Sequence, residues 1–86
     1  MSLERVHLDV LRYLYDNLPE DESVQGDISR KILFKSVNFK PKQVEKACNE
    51  LGELEYVRLK SGFYTNDWAS ISITDKGMDY LESVDG

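Results

Sequence analysis

A chain of 86 residues can bury one modest hydrophobic core and leaves no room for a separate catalytic module, so one domain over 1–86 is expected. Sixteen acids against eleven bases give a net charge of −5, which opposes a polyanionic partner unless the bases are gathered on one face. One cysteine and one histidine exclude an intrachain disulfide and a soft-ligand metal centre, and no apolar run nears the roughly 18 residues of a membrane span.

Apolar residues Leu3, Val6, Val10, Leu11, Leu14 and Leu18 recur at three- and four-residue intervals and predict a first amphipathic helix, with Ser2 as its cap and Pro19 as its end. The acidic stretch 19–26 holds too few apolar groups for a packed element and reads as a loop, with room for a short strand at Val24. Asp27 is placed to cap a second helix over 28–36 that buries Ile28, Ile32 and Leu33, although Ser23 could start the same helix a turn earlier. Val37-Asn38-Phe39 breaks the period, and Asn38 suits the left-handed conformation of a tight interhelical turn.

Proline is favoured at a first helical position, so a third helix is expected from Pro41 to about Glu53. Val44, Ala47, Cys48, Leu51 and Leu54 share one of its faces, and Cys48 reads as a small buried hydrophobe. Strict alternation over 56–60 and again over 69–73 predicts two half-buried antiparallel strands, with Arg58 and Lys60 pointing outward on the first. The connection 61–67 has the length of a projecting hairpin loop, and its Phe63 and Tyr64, with Trp68 beside it, either cover the core edge or insert into a partner. Thr74 can cap a last helix over 75–83 whose Met78 and Leu81 return to the first helix. Tyr13, Tyr15, Tyr56 and Tyr80 belong at the rim of the core.

Enzyme chemistry lacks its parts. No nucleophile motif surrounds any serine, the lone His7 lies early in an amphipathic helix, and no glycine loop could cradle a phosphate, so no cofactor is expected. Charge is where the information lies. Between Arg30 and Lys46 six bases (Arg30, Lys31, Lys35, Lys40, Lys42, Lys46) against Glu45 give +5, and the other five bases against fifteen acids give −10. Such a separation implies a face for an anionic partner and a self-repelling remainder; the plainer reading is an ordinary solvated helix surface.

The run from Leu33 to Arg58, with its apolar pair Leu33-Phe34, its turn at Val37-Asn38, its helix around Val44, its Leu51-Leu54 end and Tyr56-Val57-Arg58, resembles the winged helix-turn-helix family of small prokaryotic and archaeal transcriptional regulators. The stretch Ile73-Thr-Asp-Lys-Gly-Met-Asp-Tyr-Leu-Glu82 resembles the strand-to-helix exit of the same group. The resemblance implies an α+β, mainly α fold: a three-helix bundle, a two- or three-stranded antiparallel wing and a short C-terminal helix. It also implies double-stranded DNA as partner, with the helix 41–53 in the major groove. Gln43 is then the base reader, Lys40, Lys42 and Lys46 meet phosphate or guanine, Asn49 follows one turn on, and Arg58 and Lys60 reach the flanking backbone.

Three departures from the family pattern stand out. Phe34 occupies a position normally held by a small residue, Glu55 one normally held by glycine, and the wing loop carries Asp67 with no base of its own. A left-handed residue at Glu55 would cost roughly 1 kcal/mol, so another form of turn is expected there. The alternative function is a protein-binding winged helix that does not touch DNA, with the acidic remainder serving solubility; a salt-rich cytoplasm would instead reconcile acidity with DNA binding. A cytoplasmic protein is expected, with no membrane partner, and a homodimer, if one forms, would use the first and last helices.

Overall fold

The computed structural model describes residues 3–18, 27–62 and 67–85. In chain order the elements are α1 (Arg5–Asp16), β1 (Ile28–Ser29), α2 (Arg30–Ser36), α3 (Pro41–Glu53), β2 (Val57–Ser61), β3 (Trp68–Ile73) and α4 (Asp75–Asp85). Helices α1, α2 and α3 enclose one side of the core. An antiparallel sheet in the order β1-β3-β2 closes it.

The apolar stripe of α1 buries Val6, Val10, Leu11 and Leu14, while Leu3 and Leu18 pack partly buried at its ends. The helix begins later than Ser2 would have it. Its N-cap is Glu4, whose N–H is accepted by His7 Nδ1 at 3.1 Å, so an imidazole meets the donor that a capping Glu or Gln ordinarily meets. Pro19, Val24, Ser23, Phe63 and Tyr64, with the roles expected of them, lie outside the described residues.

Helix α2 departs most from the sequence reading. Asp27 does not cap it, and Ile28 is not in it: Ile28 and Ser29 pair with Ile71 and Ser70 as a third strand. Ser29 is the cap, its hydroxyl accepting from the Ile32 N–H at 3.3 Å. Ile28 is half-buried and Leu33 fully buried, but Ile32, expected inside, is 51% exposed. Within α2 only Leu33 is buried, Ile32 beside it points outward, and Val37 at the C-cap adds to the core.

The interhelical turn needs no left-handed residue at Asn38, because Glu55 alone among the described non-glycine residues has a positive φ. Val37 N–H bonds to Leu33 O at 3.0 Å and Phe39 N–H to Val37 O at 2.9 Å, so a three-residue γ-type turn about Asn38 reverses the chain. Helix α3 has its expected bounds, with Pro41 in the first turn and Val44, Ala47, Cys48 and Leu51 buried.

At the end of α3 the expectation of another turn form fails. Glu55 adopts φ 65°, and Tyr56 N–H bonds to Leu51 O (3.0 Å) while Glu55 N–H bonds to Gly52 O (3.1 Å). That pair of bonds is a Schellman motif, in which the left-handed position satisfies the last helical carbonyls. The bonds and the packing beyond the turn hold Glu55 in a conformation it disfavours alone.

The hairpin register sets Val57 opposite Ile73 and Leu59 opposite Ile71, with an irregularity between Lys60 and Ser61. Ile71, Ile73 and Trp68 are buried. Thr74 then joins three elements: its N–H bonds to Tyr56 O (3.0 Å), and its hydroxyl donates to Glu55 O (2.7 Å) and accepts from Gly77 N (3.1 Å) as the α4 cap. A Cβ on Gly77 would meet Tyr56 O at 2.2 Å, so only glycine lets α4 approach the α3–β2 corner this closely. Leu81 is buried and Met78 half-buried, Tyr15 Oη donates to Glu82 Oε1 at 2.9 Å, and Tyr56 stacks on Tyr80 at 4.8 Å. The four tyrosines therefore sit at the core rim.

Candidate nucleic-acid interface

The outer side of α3 presents Lys42, Gln43, Lys46 and Asn49, all exposed, with Lys40 exposed just before it. Lys42, Lys46 and Asn49 stand four and then three positions apart and form one ridge along the helix. Lys31 and Lys35 are exposed on α2. Among the described residues, none of Lys31, Lys35, Lys40, Lys42 and Lys46 is paired with a carboxylate. The basic ridge is confined to the front half of α3, because Glu50 and Glu53 occupy its rear.

Gln43 already has a structural task. Its Oε1 accepts the Lys40 N–H at 3.2 Å, capping the start of α3. A two-point contact to adenine needs that oxygen as acceptor and the amide as donor, so base reading by Gln43 in this form would exchange its cap for the base.

Arg58 is exposed on the outer face of β2, whereas Lys60 is half-buried with its Nζ 2.8 Å from Asp27 Oδ2. Asp27, freed from capping α2, thus holds the wing strand to the start of β1. Arg30, counted with the basic cluster in the sequence, is also engaged. Its Nη2 donates to Glu45 Oε1 at 2.6 Å and its Nη1 to Trp68 O at 3.3 Å, and the guanidinium lies 5.0 Å from the Phe34 ring centre and 4.8 Å from that of Trp68.

Phe34, bulky where its position suggested a small residue, meets Trp68 edge-on at 6.0 Å and 81°. Trp68 itself is 7% exposed, so it packs into the core edge. The Arg30–Phe34 spacing of four was a readable sign of a stacked pair. The Asp27–Lys60 pair had no local sign at all.

Between α1 and α3 a cleft of about 210 Å3 is lined by His7, Gln43, Lys46 and Glu50. His7 is 5% exposed, and its Nε2 lies 3.4 Å from Glu50 Oε1 without meeting hydrogen-bond geometry. Nδ1 accepts from Glu4, so the neutral ring carries its proton on Nε2. Cys48 is fully buried, and burial pushes its thiol up to about 12 against a smaller opposing pull from Arg30. A thiol so held is an inert packing group. No set of three or more potential metal ligands occurs among the described residues, and none of their helices is long and apolar enough to cross a membrane.

No family model matches the sequence, and no curated protein matches it. Solved structures do match the fold. BpsR from Bordetella bronchiseptica, whose DNA binding is regulated by 6-hydroxynicotinic acid, superposes with a TM-score of 0.76 at 17% identity over 95% of this chain and 56% of its own. A variant of MepR from S. aureus, solved bound to an oligodeoxyribonucleotide, gives 0.72 at 14% identity over 94% of this chain and 54% of its own. NMB1585, a MarR family regulator from Neisseria meningitidis, gives 0.68 at 17% identity over 96% and 53%. The chain therefore spans just over half the length of each of these proteins. Helix-turn-helix in α2 and α3, hairpin in β2 and β3, and agreement over nearly the whole chain together show a winged helix-turn-helix fold, the one these solved structures share.

Proposed function

We propose that this chain binds duplex DNA with the front half of α3 in the major groove and acts as a transcriptional regulator in the cytoplasm. The carrying observation is the set of five exposed lysines, on α2, on α3 and at the residue before α3, without carboxylate partners among the described residues, in a protein whose net charge is −5. A helix presenting its first turns to base edges, flanked by lysines at phosphate distance, is the docking mode of this fold, and the oligonucleotide-bound MepR variant shares the fold. Lys40, Lys42 and Lys46 would neutralise phosphate, Asn49 and Gln43 would face bases, and Arg58 would reach the flanking strand. Lys60 would contribute only by exchanging Asp27 for a phosphate.

A second reading, a winged helix that docks on protein, draws support from the Lys60–Asp27 pair and from the exposed Asp67 at the wing, both of which reduce the wing's positive charge. An amide-resolved NMR titration with a mixed-sequence duplex, repeated across salt concentrations, separates the two. DNA binding should shift residues 40–49 and 58–60 and weaken with a log-log salt slope of about −4, from four to five phosphate contacts. Silent spectra at low salt would transfer the assignment to a protein partner. A homodimer through α1 and α4 belongs to the DNA reading, since two-fold symmetric sites call for paired reading heads; Val84 on α4 is 47% exposed.

A further inference from the structure

We infer that Arg30 is a positioning residue: it fixes the root of the wing against α3, so that DNA affinity depends on a side chain that does not itself touch DNA. This rests on the DNA-binding reading above. The guanidinium belongs to the first residue of α2, bonds the carboxylate of Glu45 on α3 at 2.6 Å, and bonds the carbonyl of Trp68, the first residue of β3, at 3.3 Å. Its central carbon lies 5.0 Å from the centre of the Phe34 ring and 4.8 Å from that of Trp68, within cation–π reach of both. The helix-turn-helix and the returning strand of the wing thus meet in one planar group.

Nothing but arginine can make these contacts together. A guanidinium has five donors in a rigid fork and a face that stacks on aromatic rings, whereas a lysine ammonium is a compact point charge that could keep Glu45 and would lose the carbonyl and the stacking. The pairing has an electrostatic effect as well. Glu45 is the single acid between Arg30 and Lys46, and its neutralisation removes the one negative charge that phosphates would otherwise meet on the front half of α3. The Lys60–Asp27 pair restrains β2 at the residue before β1, so both wing strands are tied to the region around β1.

The test compares Arg30→Lys and the double variant Arg30→Gln/Glu45→Gln with the parent protein in three measurements: thermal melting, ¹⁵N relaxation of the amides of residues 67–70 without DNA, and affinity for a mixed-sequence duplex over a salt series. Arg30→Lys should melt cooperatively, show increased mobility at residues 67–70, and bind DNA about five- to tenfold more weakly at fixed salt, the loss of roughly one hydrogen bond and its geometry. Both variants should keep the parent's salt slope, because the phosphate contacts are unchanged and the pair is either kept balanced or removed as a neutral unit. A direct phosphate ligand behaves otherwise. Full affinity in Arg30→Lys, or a slope in the double variant shallower by about 0.9, would overturn the proposal. If the parent binds no duplex at low salt, the DNA reading falls separately, and unaltered relaxation at residues 67–70 in Arg30→Lys then overturns the positioning role by itself.

Discussion

Glu55 holds a left-handed backbone, φ 65°, at the point where α3 gives way to β2. A Cβ in that region is crowded by its own carbonyl, and glycine escapes the crowding. The conformation persists because its surroundings over-determine it: the two Schellman bonds on one side and the Thr74 hydroxyl on Glu55 O on the other. The Lys76 Nζ, 4.0 Å from Glu55 Oε2 with both groups exposed, adds almost nothing. Glu55→Gly should therefore stabilise the domain, by about 0.5–1 kcal/mol once the greater freedom of glycine in the unfolded chain is set against the relieved strain. Urea unfolding decides it, and a lower midpoint in the glycine variant would show that the side chain of Glu55 matters more than its backbone angle.

Among the elements, α3 separates its two duties by face. Lys42 and Lys46 are exposed and, among the described residues, without carboxylate partners, while Val44 between them is fully buried. Reversing charge at Lys42 and Lys46 together should abolish duplex binding and move stability by no more than about 0.5 kcal/mol per site, the usual effect of exposed substitutions. Val44→Asp should unfold the domain, since it buries an unpaired carboxylate. Circular dichroism melts of both variants beside a binding assay check the assignment, and a folded Val44→Asp protein would refute the register of the helix.

That register was legible in the sequence because everything that defines α3 is local: Pro41 at its start and an apolar stripe at helical spacing. The start of α2 was not, since Ile28 and Ser29 take their form from strand partners at Ile71 and Ser70, which no local pattern announces. The candidate site divides the same way. The lysine ridge follows from helical spacing, whereas the engagement of Arg30 by Glu45 and of Lys60 by Asp27 depends on tertiary approach, and two bases counted toward the positive cluster or its flank prove to be spoken for.

At the scale of the whole molecule the two signs of charge are gathered unevenly: α2 carries three bases and no acid and α4 four acids against one base, while α1 and α3 mix the two. Salt should act on the two in opposite senses. Shortening the Debye length from about 30 Å at 0.01 M to about 8 Å at 0.15 M relieves repulsion among the acids and weakens attraction to phosphate. The melting temperature should therefore rise over the interval in which duplex affinity falls. A melting temperature that dropped with added salt would mean that the Arg30–Glu45 and Lys60–Asp27 pairs outweigh the repulsion of the acidic surface.

The three-stranded sheet also bears on how the protein comes into being at the ribosome. β2 and β3 are neighbours in the chain and can pair as soon as both exist, but β1 precedes the helix-turn-helix and its partner β3 follows it. Pairing of β1 must close a long loop of chain. During synthesis α3 is therefore complete well before β3, and a nascent chain halted ahead of β3 carries the lysines of α3 with neither the completed hairpin nor its anchor at Trp68.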